Sequence, residues 1–108
     1  FNVFVGKNNV QNDFLTLHKA QKSDLWFHAK NLPGSHIILE TEGKIIPEET
    51  IAKVASLAAF HSKGRSSGKV DVDYTHVKYI RKIPNGPPGL VNYTHQRTIT
   101  VFPKEIQN

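Results

Sequence analysis

Six histidines and no cysteine set the chemistry open to this 108-residue chain. His28 and His36 fall on neighbouring predicted strands, with Asp24 close by in sequence. Two imidazoles and a carboxylate form a donor set for zinc or iron. The spacing follows no metal signature such as H-E-x-x-H, and without cysteine no thiolate site can form. The expectation is therefore that no metal or other cofactor is bound. Ser35 and His36 are adjacent, so in a strand their side chains point to opposite faces. No G-x-S-x-G elbow supports a hydrolase. Gly6-Lys7-Asn8 lacks the remainder of a phosphate loop. No catalytic residue is assigned, and the chain reads as a non-enzyme.

The cations make a stronger pattern. Lys63, Arg65 and Lys69 surround a Ser/Gly loop, and Lys78, Arg81, Lys82 and Arg97 follow, with Tyr79, Tyr93 and His95 among them. Lysine and arginine neutralise phosphates, while rings and guanidinium planes stack on unpaired bases. This is the interleaving expected of an RNA- or DNA-binding surface.

These residues need elements to hold them. Phe1–Val5 reads as a strand ended by Gly6, and a short helix follows from Asn9 or Asn12 with Phe14, Leu15, Leu17 and His18 as its packed stripe. Leu25–Lys30 and Ser35–Glu40 form a hairpin across Asn31–Gly34, with Pro33-Gly34 at the centre of a type II turn. Trp26, His28 and Lys30 share one strand face by period-2 geometry. Pro47-Glu48-Glu49 opens the best helix, whose Ile51, Val54, Ala55, Ala58 and Ala59 recur at helical spacing until Gly64. Lys69–Thr75 alternates, with Val70, Val72 and Tyr74 inward and Asp71, Asp73 and Thr75 outward. Lys78–Ile83 is a basic extended segment. Leu90–Tyr93 and Thr98–Phe102 close as a last hairpin. The expected fold is a single α+β domain, 1–108, with a mostly antiparallel sheet and two main helices.

Composition narrows the class. Apolar residues make up 38% and charged residues 21%, enough for one core and unlike a disordered chain. No apolar run reaches membrane-spanning length, and no signal peptide is visible. Position 1 is not Met, so the chain reads as a fragment of a longer protein. Residues 1–50 hold 5 Lys against 6 acids, whereas residues 51–108 hold 9 Lys/Arg against 3 acids. A basic half of this kind attracts polyanions.

Several stretches together carry a family resemblance: G-K-N-N-V-Q-N-D-F-L-T-L (6–17), D-L-W-F-H-A-K-N-L-P-G-S-H (24–36), A-A-F-H-S-K (58–63), V-D-Y-T-H-V-K (72–78), P-G-L-V-N-Y-T (88–94) and R-T-I-T-V (97–101). Over nearly its whole length the chain resembles the NFACT-R domain, the RNA-contacting C-terminal domain of ribosome-quality-control proteins of the RqcH type, formerly labelled fibronectin-binding protein A. The resemblance implies a cytoplasmic factor that binds the large ribosomal subunit carrying a stalled nascent chain and recruits tRNA for untemplated C-terminal tailing. It implies a shared RNA-binding site at Lys7, Asn8, Asn9, Asn12, Asp24, Trp26, His28, Ser35 and His36, supported by Lys63, Lys78, Lys82 and Arg97. Arg65 and Lys69 join that set from the basic cluster above. His61 stands where the family usually has an aromatic, and Pro87 where it has a small or basic residue.

Other roles compete for the same residues. Asn8 or Asn9 suits a helix cap, Asp24 and His28 suit a brace for the hairpin, and Trp26 suits a core. The older family label also keeps open an adhesin that binds extracellular matrix. The expectation carried forward is that the Lys7–Asn12 loop and the Trp26–Lys30/Ser35–Ile38 hairpin converge on one polar surface.

Overall fold

The computed structural model describes residues 1–106. Strand β1 (Val3–Val5) leads into helix α1 (Asn9–Phe14), which widens into a π-helical turn over Leu15–Lys19. Strands β2 (Leu25–Ala29) and β3 (Ile37–Leu39) follow, then helix α2 (Glu48–Phe60). The remainder is β4 (Val70–His76), a 3-10 turn over Val77–Tyr79, β5 (Ile80–Lys82), β6 (Val91–Tyr93) and β7 (Arg97–Val101). Five strands form an antiparallel sheet in the order β1-β3-β2-β4-β7, and β5 and β6 make a separate antiparallel ribbon. The fold is α+β, with two α-helices, as the pattern of elements indicates. No helix among the described residues is long and apolar enough to cross a membrane.

Period-2 geometry divides the sheet into two working faces. Leu25, Phe27 and Ala29 of β2, Ile37 and Leu39 of β3, and Val70 and Val72 of β4 pack against Ile51, Val54, Ala55, Ala58 and Ala59 of α2. The alanines let the helix lie close to the strands. On the reverse face Trp26 and Ile38 pack against Val77 and Ile80, with Leu15, Val91 and Tyr93 at the margin. The sheet is thus covered on both sides: α2 on one, and α1 with the β5–β6 ribbon on the other.

That second layer accounts for most of the departures from the sequence reading. Asp73 and Thr75 do not face water. They are 1% and 3% exposed because the ribbon and Tyr93 lie over them. Asp73 accepts hydrogen bonds from Tyr93 Oη at 2.8 Å and Thr98 Oγ1 at 2.6 Å, and pairs with Lys30 Nζ at 3.4 Å. The last hairpin is likewise not formed. β6 pairs with β5, while β7 pairs with β4 in a register that sets Thr98 opposite Asp73 and Thr100 opposite Asp71. Both threonine hydroxyls then donate to the facing carboxyl groups, which fits β7 to its place beside β4.

The first helix presents a different stripe. Phe14 is exposed, and the buried positions are Asn12 and Thr16, because polar partners on the hairpin await them. In the β2–β3 connection the left-handed residue is Asn31 (φ 56°), not Gly34, so a type II turn centred on Pro33-Gly34 does not form. Instead Gly34 bridges to Ser62, just past the end of α2, which stops at Phe60 rather than at Gly64.

Candidate nucleic-acid interface

The site begins with the segment Gly6–Asn12. Asn8 caps α1, its Oδ1 accepting from the Gln11 N–H at 2.9 Å, while Gln11 Oε1 accepts from the Lys7 N–H at 2.9 Å. Asn12 points inward, and its Oδ1 accepts from the His36 N–H at 3.1 Å. Gly6 lies against this amide so closely that a Cβ there would collide with Asn12 Oδ1. The G-K-N-N…N spacing is thereby explained as a clamp that holds one end of β3 to α1. Lys7 and Asn9, both exposed, are left to face outward.

A second clamp joins the hairpin turn to the end of α2. Ser35 N–H donates to the His61 carbonyl at 2.9 Å, and Lys63 N–H donates to the Pro33 carbonyl at 2.9 Å. The two clamps bring Lys7, Asn8, Asn9, Asn12, Ser35, Lys63 and Arg65 around one shallow groove of about 450 Å³. Its charged walls are the three cations, and none of its lining residues is an Asp or Glu. The Arg65 guanidinium lies 3.9 Å over the Phe60 ring, which fixes its orientation. His61 lines the same groove. Burial lowers its pKa, and the charges of Arg65 and Lys7 push it the same way against an opposing pull from Glu105. Phe60 is not among the residues singled out from sequence, and His61 is named there only as a departure from the family pattern, although the A-A-F-H-S-K stretch contains both.

Trp26, His28 and His36 line a neighbouring cleft of about 350 Å³, closed by Leu90, Val91 and Tyr93 on the far side. Pro33 lines both the groove and this cleft. The segments therefore do not converge on one polar surface but line two adjoining concavities, one cationic and one walled by rings and apolar side chains. His36 is held from three sides. Nδ1 meets Thr16 Oγ1 at 2.7 Å, Nε2 meets the Gly89 carbonyl at 2.9 Å, and its ring lies edge-on to Trp26 with centroids 5.4 Å apart. A carbonyl can only accept, so Nε2 carries the proton. Burial lowers the His36 pKa to about 4, leaving Nδ1 free to accept from Thr16. His28 stacks on Trp26 at 5.7 Å and 3°, and burial lowers its pKa as well. Asp24 is not part of this cluster. It accepts from Gln21 N–H at 2.9 Å and Thr41 N–H at 3.1 Å, so it braces a loop rather than His28. Among the described residues no group of three His, Cys, Asp or Glu side chains could hold a metal ion.

The remaining cations lie apart from the groove. Lys82 pairs with Asp13 at 3.2 Å. Lys78 stands over the Tyr79 ring at 5.1 Å and Lys69 over Phe102 at 5.7 Å, and Arg97 is exposed on the edge strand β7. None of these four lines the groove or the cleft.

Residues 1–94 match the family model described as the NFACT protein RNA binding domain. The chain is 45% identical over 102 residues to a Streptococcus pneumoniae protein named Rqc2 homolog RqcH and 43% identical to its Bacillus subtilis namesake, covering 94% of this chain in each case. An archaeal Rqc2 homolog from Methanocaldococcus jannaschii is 31% identical over 72% of this chain. The two bacterial relatives are much longer, and the chain spans 18% and 17% of their lengths. A solved structure, that of the C-terminal part of the fibronectin/fibrinogen-binding protein from Streptococcus suis, superposes with a TM-score of 0.89 at 46% identity. It covers 95% of this chain and 41% of that one.

Proposed function

The chain belongs to the NFACT RNA-binding domain family, and from that premise we propose that it is an RNA-contacting module of a ribosome-quality-control factor, working through the groove bounded by Lys7, Lys63 and Arg65. The observation that carries this reading is the groove's charge: three cations and no carboxylate on a shallow, open surface. Such a surface suits a phosphodiester backbone, whose counterions are released on contact. Asn8, Asn9 and Ser35 add donors and acceptors for sugar and phosphate oxygens. Three phosphate contacts alone support weak binding, micromolar or looser at physiological salt.

In the intact factor the RNA is ribosomal RNA of an obstructed large subunit or the tRNA recruited to it, and the domain acts in the cytoplasm. The module positions RNA and carries out no reaction itself, and peptide-bond formation during tailing belongs to the ribosome. The test is co-sedimentation of the parent factor with large subunits, with Lys63→Ala/Arg65→Ala and without substitution. The paired substitution is expected to reduce the bound fraction severalfold while leaving the factor folded. Unchanged recruitment would contradict the assignment.

A second reading follows from the solved relative, which is named a fibronectin/fibrinogen-binding protein. Were this chain a protein-binding module, fibronectin would be captured with little dependence on salt, and RNA would not compete for the surface.

A further inference from the structure

The cleft beside the cationic groove has the opposite chemistry. No Lys, Arg, Asp or Glu lines it, and its walls are largely rings and apolar side chains: Trp26, His28, Pro33, His36, Leu90 and Tyr93. Trp26 and Tyr93 approach with ring centroids 4.6 Å apart. Leu90, at the rim, is 48% exposed.

Trp26 is 1% exposed, yet its Nε1–H has no hydrogen-bond partner among the described residues. Buried donors are nearly always paired, so this one marks the packing around Trp26 as incompletely satisfied. A phosphate has no cation to meet in this cleft. A nucleobase brings a neutral π-face to a cleft walled by rings. The Tyr93 oxygen, whose proton goes to Asp73, can accept from an exocyclic amino group.

The placement beside the groove selects the class of nucleic acid. Pro33 forms a wall common to both concavities, and the Asn12–His36 bond ties their floors together. The geometry points to a pocket for one unpaired base of single-stranded RNA, whose flanking phosphates lie among Lys7, Lys63 and Arg65. This rests on the RNA-binding reading above and deepens it. Bases within a duplex keep their faces covered by stacking, so the pocket favours loops, bulges and ends over paired RNA.

Trp26 is the sole tryptophan of the chain, so its fluorescence reports on the cleft directly. The chain is titrated with a short single-stranded oligoribonucleotide and with an abasic strand of the same length. The base-bearing strand is expected to quench Trp26 emission and to bind about tenfold tighter or more, the usual gain from stacking one base. Leu90→Ala, a change at an exposed rim, is expected to bring its affinity down towards that of the abasic strand without altering the abasic affinity. Equal affinities with unchanged emission would overturn the base pocket and leave the phosphate groove standing. Failure of both strands to bind at low salt would overturn the RNA-binding reading and the pocket with it.

Discussion

His36 Nε2 donates to the Gly89 carbonyl at 2.9 Å, and through that bond a buried imidazole ties the β2–β3 hairpin to the loop before β6. The same loop is held from the other side, where the Gly89 N–H donates to Asp13 Oδ1 at 3.1 Å. Gly89 sits at φ 85° with Asn9 packed against it, so the loop, α1 and the hairpin meet at one glycine. The cleft exists because these three segments are pinned together there.

Stability is expected to fall in mild acid. The His36 pKa is lowered to about 4 by burial, with His28 lowered in the same sense. Between its ordinary value near 6.5 and 4, the unfolded chain binds a proton that the folded chain refuses. The stabilisation is complete above about pH 6.5 and is lost as pH falls towards 4, on the order of 3 kcal/mol from His36. Urea unfolding at pH 7 and pH 5 measures it, and equal midpoints would contradict the assignment of a neutral buried imidazole.

Alkali acts on Tyr93, across the same cleft from His36. Burial and the Asp73 carboxyl raise the Tyr93 pKa to about 12. The folded chain then retains a proton that the unfolded chain loses above pH 10, so stability declines from pH 10 towards 12. Phenolate absorbance is expected to show a transition near 12 that disappears in Tyr93→Phe.

Asn12 and Asn9 are expected to separate in their effects. Asn12→Ala leaves the buried His36 N–H unpaired and costs about 1–3 kcal/mol. Asn9 is exposed, and Asn9→Ala is expected to stay within about 0.5 kcal/mol while weakening RNA binding. Thermal melts of the two variants beside their RNA affinities check this pair.

Gly6→Ala tests the clamp itself. The added methyl group meets the Asn12 amide, so either Asn12 or β1 must move, at about 2 kcal/mol or more. A melting temperature equal to that of the unsubstituted chain would show that the approach is not required.

The strands and the α2 helix were legible because each buries a regular face: Leu25/Phe27/Ala29 alternate, and Ile51/Val54/Ala55/Ala58 recur at helical spacing. What escaped the sequence lies in the second layer. Asp73 reads as an outward residue of an amphipathic strand, and only the arrival of Tyr93 and Thr98 from about 20–25 residues away makes it a buried acceptor. Local alternation carries no record of such a partner. The same applies to β7, whose register on β4 is set by threonine–carboxyl pairs rather than by its own turn. For the site, the motif residues Lys7, Asn8, Asn9, Asn12 and Ser35 do gather with Lys63 and Arg65. Asn8, Asn12 and His36 also carry structural bonds that residue type alone left open. Lys69, Lys78, Lys82 and Arg97 are equally basic in sequence but are dispersed by the fold, because charge spacing along a chain does not specify which loops meet.

The central claim, that Lys7, Lys63 and Arg65 hold RNA phosphates, is tested most directly by the salt dependence of affinity for a single-stranded oligoribonucleotide. Neutralising three phosphates predicts that log K falls with log salt at a slope of about −2, and that Lys63→Ala/Arg65→Ala flattens it to about −1 with the melting temperature nearly unchanged. An unaltered slope in the double variant, or an affinity indifferent to salt in the unsubstituted chain, would contradict it.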